Sequence, residues 1–80
     1  MRVRSLFFAS YRDLVGAEEL ELDLAEGATV RQLVDQVRSR PGADAIPETP
    51  VVAVNREYAS VETPLREGDE VAFIPPVAGG

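Results

Sequence analysis

Residues 18–37, EELELDLAEGATVRQLVDQV, decide the fold, because the period of their apolar residues changes partway along. In 18–24 the alternation is strict. Leu20, Leu22 and Leu24 point one way and Glu19, Glu21 and Asp23 the other, the pattern of a half-buried strand. Its charged face suits a sheet edge. Residues 25–28, AEGA, read as a turn. From Thr29 the period becomes helical, with Val30, Leu33, Val34 and Val37 at i, i+3, i+4 and i+7. Thr29 with Gln32 three residues on forms a capping box. Arg38 and Arg40 suit the C-terminal end of the helix dipole, and Pro41-Gly42 stops the helix.

Working outward, residues 2–9, RVRSLFFA, read as a strand with Val3, Ser5 and Phe7 on one face and Arg4, Leu6 and Phe8 on the other. Residues 10–16, SYRDLVG, predict a short helix with Ser10 as N-cap and Gly16 as its stop. Residues 41–50 hold three prolines and read as a loop. VVAVN (51–55) is β-branched and short, and predicts a buried strand. Turns are expected at Asn55-Arg56 and Glu67-Gly68-Asp69, with a short strand or helical turn between them. EVAFIP (70–75) predicts the last strand, with Val71 and Phe73 on one face and Ala72 and Ile74 on the other.

Two strands, a helix and further strands make an α+β protein: one mixed sheet with one main helix packed across it. With the first and last strands parallel at the centre, this is the β-grasp, or ubiquitin-like, arrangement. The expected organisation is a β-grasp domain over residues 1–74 and an extended, flexible C-terminal tail over 75–80.

Composition narrows the chemistry. Eighty residues make one domain with a small core. A net charge of −6 argues against a nucleic-acid partner and favours a basic protein surface, although the same charge also serves solubility. The chain has no Cys and no His. Thiol chemistry, disulfides, the usual neutral-pH base and the preferred zinc ligands are therefore all missing. No metal and no bound cofactor are expected. The chain shows no apolar run of membrane-spanning length and no secretory signal, so the expected location is cytoplasmic and no membrane partner is implied. The acids Glu18, Glu19, Glu67, Asp69 and Glu70 read as a solvated surface on turns and an alternating strand rather than a two-carboxylate site. Arg12 reads as a helix-end charge.

The chain closes on PPVAGG (75–80). Pro75-Pro76 cannot continue a sheet ladder and favour a stiff extended course, which directs the tail away from the body. Glycine lacks a Cβ and can thread a narrow channel, so the Gly80 carboxylate after Gly79 is open to activation by another protein's active site. Adenylation by ATP and displacement by a nucleophile would follow. Phe8, Tyr58 and Ile74 are candidates for one exposed apolar patch, against the plain reading of ordinary scattered surface.

LFFASYRDLVG, VAVNRE and PLREGDEVAFIPPVAGG together resemble the small, sulfur-carrying subunits of molybdopterin synthase, within the β-grasp sulfur carriers that include the thiamine one. The resemblance spans essentially the whole chain. It implies that Gly80 is adenylated by an enzyme related to ubiquitin-activating enzymes, which uses ATP, and becomes a thiocarboxylate. It implies that the tail (Pro75, Pro76, Val77, Ala78, Gly79 and Gly80) enters the large catalytic subunit of a heterotetrameric synthase and gives sulfur to cyclic pyranopterin monophosphate in molybdenum cofactor biosynthesis. It places partner contacts at Phe8, Tyr58 and Ile74, although the family often has an aromatic where Ile74 stands. The chain by itself would then be a sulfur donor and not an enzyme. Carriage of sulfur for thiamine or tRNA thiolation, or attachment to proteins as a ubiquitin-like modifier, are the competing functions.

Overall fold

In a computed structural model, which describes residues 1–76, the chain runs β1 (Arg2–Phe7), α1 (Ala9–Val15), β2 (Glu19–Asp23), α2 (Val30–Arg38), a 3-10 turn (Ala43–Ala45), β3 (Val51–Val54), β4 (Glu57–Ala59) and β5 (Glu70–Ile74). The five strands form one sheet in the order β2-β1-β5-β3-β4. β1 and β5 pair in parallel, with Phe7 opposite Phe73, and every other pairing is antiparallel. This is the β-grasp topology expected from the element order.

The helical stripe does what its period predicts. Val30, Leu33, Val34 and Val37 are fully buried, and they meet Val3, Phe7, Val52, Val71 and Phe73 in one core cluster. The rings of Phe7 and Phe73 lie 5.0 Å apart, tilted by 36°. That spacing adds an aromatic contact to the area the two rings remove from water. The capping box is present: the Thr29 N–H donates to Gln32 Oε1 (2.6 Å), and the Thr29 side chain accepts from the backbone of Gln32. β2 is an edge strand, as its charges suggest, and for that reason Leu20 and Leu22 are only partly covered.

Three expectations change. Ser10 is not the N-cap. The chain turns immediately after β1, with Ala9 at φ 46°, and Phe8 takes the cap position with no side-chain hydrogen bond. The N–H groups of Tyr11 and Arg12 instead reach the Phe8 carbonyl. Gly16 does end α1, at φ 83°. The proline-rich stretch is more than a loop: Ala43 and Ile46 are fully buried, and Arg38 holds the segment by donating to the carbonyls of Ile46 (2.6 Å) and Asp44 (3.2 Å). β3 is not buried throughout: Val52 and Ala53 are covered, whereas Val51, on the outer face, is exposed. The turn at Asn55-Arg56 places both residues at positive φ, which suits the tight β3–β4 hairpin.

Ser5 occupies a core-facing position of β1, is fully buried, and its hydroxyl has no hydrogen-bond partner among the described residues. An unpaired buried hydroxyl costs about 1–3 kcal/mol. Ser5→Ala should therefore raise the melting midpoint by several degrees, read by scanning calorimetry. A lower midpoint would mean that the hydroxyl has a partner.

Candidate functional site

The face of the sheet turned away from α2 divides along the strand direction. At the end where β1 and β5 begin it is charged. Arg4 pairs with Glu70 across the parallel ladder, and Arg2 reaches Asp23 Oδ1 (3.3 Å) and Glu21 Oε2 (3.5 Å). The hydrogen bond from Arg2 to Asp23 and that from Arg4 to Glu70 raise the pKa of each guanidinium. Both arginines are charged at any ordinary pH regardless, and these exposed pairs contribute little to stability.

The acids before β5 have structural tasks at this same end. Glu67 accepts from the Arg2 N–H (2.8 Å). Asp69 accepts from the Arg66 N–H (2.8 Å) and from Asn55 Nδ2 (2.9 Å), while Asn55 Oδ1 accepts from the Glu70 N–H (3.0 Å). Together they seat the last turn on the β3–β4 hairpin, well away from the opposite end of β5.

At that opposite end the face is apolar on β1, β5 and β3, and Glu19 of β2, opposite Leu6, borders it. Phe8 and Ile74 follow the paired Phe7 and Phe73 by one residue each, so both turn outward from the core. Ile74 pairs with Val51, and one row below it Leu6, Ala72, Ala53 and Tyr58 succeed one another across four strands. Phe8 is 50% exposed, Val51 54% and Tyr58 79%. The three candidates therefore share one face. Phe8 and Ile74 are neighbours, whereas Tyr58 stands about 10 Å from β5, two strand spacings away on the edge strand β4. Val51 and Ala53 of β3 lie between them. Neither was singled out from sequence, since their membership depends on strand register, which local alternation does not encode.

β5 ends at Ile74, and Pro75 and Pro76 continue from the apolar end. The other tail candidates, Val77, Ala78, Gly79 and Gly80, lie outside the described residues. Beside Pro75, an open apolar groove runs between Tyr11 of α1, Pro47 and Pro50 of the proline-rich segment, and Val51 and Ile74 of the sheet. Burial pushes the Tyr11 phenol above its ordinary pKa, so it stays neutral there. Arg12 points elsewhere, to Glu18 (3.7 Å) and Asp13 (3.9 Å). Among the described residues no group of three or more acids is placed to hold a metal ion, and no helix is long and apolar enough to cross a membrane.

Comparison with known proteins agrees with this arrangement. The profile of the ThiS family matches residues 5–80. A molybdopterin synthase sulfur carrier subunit of Chlamydomonas reinhardtii is 37% identical, with all of both chains covered. One of Escherichia coli is 38% identical over 98% of this chain and 99% of its own. The solved structure of SAMP1 from Haloferax volcanii superposes with a TM-score of 0.88 at 25% identity, over the full length of both chains.

The outward placement of Tyr58 has a measurable consequence. Tyr58→Ala should leave the urea midpoint unchanged, because the ring is already in water. Phe73→Ala, one face away in the core, should cost about 3–5 kcal/mol. A large loss from Tyr58→Ala would show that its ring is packed.

Proposed function

This chain belongs to the ThiS family, and from that premise we propose that it is the sulfur-carrying small subunit of a molybdopterin synthase. The observation that carries the reading is the geometry of β5. The strand runs through the middle of the sheet and delivers Pro75-Pro76 to the apolar end of the outer face, beside Phe8, Val51 and Ile74. One docking surface and one outgoing segment then share a single end of the molecule. The names of the relatives in Chlamydomonas reinhardtii and Escherichia coli support the same reading.

In this mechanism Gly80 carries the chemistry and the body carries the recognition. A carboxylate oxygen of Gly80 attacks the α-phosphorus of ATP in the active site of an adenylating enzyme, and pyrophosphate leaves. A sulfur nucleophile attacks the acyl carbon and expels AMP, which leaves a thiocarboxylate. Splitting the acyl transfer in this way replaces one difficult step by two easier ones. The charged tail then enters the large synthase subunit and gives its sulfur to cyclic pyranopterin monophosphate. Phe8, Ile74, Val51 and Tyr58 make the apolar contacts with these two partners, and Gly79 and Ala78 are small enough to pass a narrow channel. The chain contributes no acid, base or nucleophilic side chain to either step.

The absence of cysteine gives a clean test. The protein is incubated with ATP, a sulfide source and the adenylating enzyme, alkylated with a thiol reagent and weighed intact. One added label, lost on deletion of Gly80, is the expected result. No label under conditions that charge a known carrier would overturn the reading, and adducts joined through amide bonds in cell extract would favour a protein modifier.

Tail length should be equally strict. Bringing a thiocarboxylate within reach of a bound substrate requires placement to a fraction of a residue, since about 1 Å of misplacement costs on the order of 100-fold in rate. One glycine inserted before Gly79 should therefore reduce product formation by the reconstituted synthase at least that much, with an unchanged melting midpoint. Retained turnover would contradict a fixed reach.

A further inference from the structure

We infer that the groove beside the tail root is a second docking point for the large synthase subunit, filled by one bulky aliphatic or aromatic side chain of that subunit. The inference rests on the carrier reading above. Three observations carry it. First, the groove is continuous with the apolar face, because Val51 and Ile74 belong to both. A partner lying on that face meets the groove without crossing polar surface. Second, Pro75 and Pro76 are themselves part of its wall. Residues 77–80 span at most about 14 Å when fully extended. A protein that encloses the Gly80 carboxylate must therefore bring its own surface to within that distance of the groove.

Third, the walls are braced by contacts within the chain itself. Pro47 and Pro50 stand on a segment anchored by the buried Ala43 and Ile46 and by the two hydrogen bonds from Arg38. A prebuilt cleft loses little freedom when a side chain enters it. The same features favour the large subunit over the adenylating enzyme. Lasting subunit interfaces are the more apolar kind, whereas transient encounters use polar surface. The groove lining contains no charged residue, while the acids Glu19, Glu21 and Asp23 lie along the far edge of the sheet on β2.

The test fills the groove from its rim. Ala45 and Thr49 are exposed lining positions outside the sheet face and the tail, so Ala45→Trp and Thr49→Trp occupy the space without changing charge. Kd for the large subunit is measured by titration calorimetry, alongside the adenylation rate and the melting midpoint. The expected result is a Kd raised about tenfold or more for both variants, as for blocking a central anchor pocket. Adenylation and melting should stay as in the parent chain. Parent-like Kd values in two folded variants would overturn the inference. So would a loss confined to adenylation, which moves the groove to the other enzyme. A melting change equal to that caused by deleting residues 77–80, with Kd unchanged, would assign the groove to the chain's own last residues. Self-association of the parent chain abolished by both variants would assign it to a second copy. If the parent chain itself fails to bind the large subunit, the carrier reading falls, and that result is distinct because it needs no variant.

Discussion

Strands β1 and β5 lie side by side and parallel, with Phe7 opposite Phe73 beneath α2. Arg4 and Glu70, paired across this ladder, are 66 residues apart in the chain. So the contact closes almost the whole polypeptide into one loop. Closing it costs conformational entropy that local contacts cannot repay, and parallel pairing requires a long crossover in any case. The offset comes from burial of Val3, Phe7, Val71 and Phe73 against the stripe of α2. The direction in which Pro75 leaves the body is therefore a property of the entire fold. No shorter piece of this chain could hold Phe8 next to Ile74 and send a segment outward from the same point.

The outer face follows from that pairing. Since β1 and β5 run in the same direction, the charges at their starts collect at one end and the apolar residues at their finishes collect at the other. β3 runs against them and contributes Val51 to the apolar end through its first residue. The acids Glu67, Asp69 and Glu70 are held in hydrogen bonds to the backbone, to Asn55 and to Arg4, which fix the turn that aims β5. Their chemistry is spent on placement. The acids of β2 are exposed, and two of them, Glu21 and Asp23, meet Arg2 of the neighbouring strand.

What the sequence made legible was local. The period change at Thr29 located β2 and α2, the pair Thr29 and Gln32 marked the cap, and Gly16 ended α1. Phe8 and Ile74 could be set on the outer face from parity with Phe7 and Phe73 alone. Register was not legible, so Val51 was read as buried and its place beside Ile74 went unseen. The capping role given to Ser10 failed because Ala9 turns at positive φ, a conformation that the composition of the segment does not signal. Ala43 and Ile46 have no periodic neighbours inside a proline-rich stretch. Their burial depends on the return path of the chain over the core, and so does the groove they brace.

On the proposed carrier reading, a chain with no reactive side chain must do two things well: be recognised, and present its end at a fixed reach. The two demands conflict, because a long flexible tail reaches easily and arrives in few productive poses. Ordering each free residue costs about 1–2 kcal/mol. Proline has less freedom to lose, since its φ is already set. Pro75-Pro76 are rooted at the end of the central strand, so on the proposed carrier reading the reach beyond them is that of four residues, 77–80. Glycine at 79 and 80 raises that cost but removes the side-chain bulk that would bar entry. The compromise works only if the root is immobile, and the root is held by the β1–β5 ladder on one side and the braced proline segment on the other. On that reading, docking and delivery would be set by the same few residues at one end of the sheet.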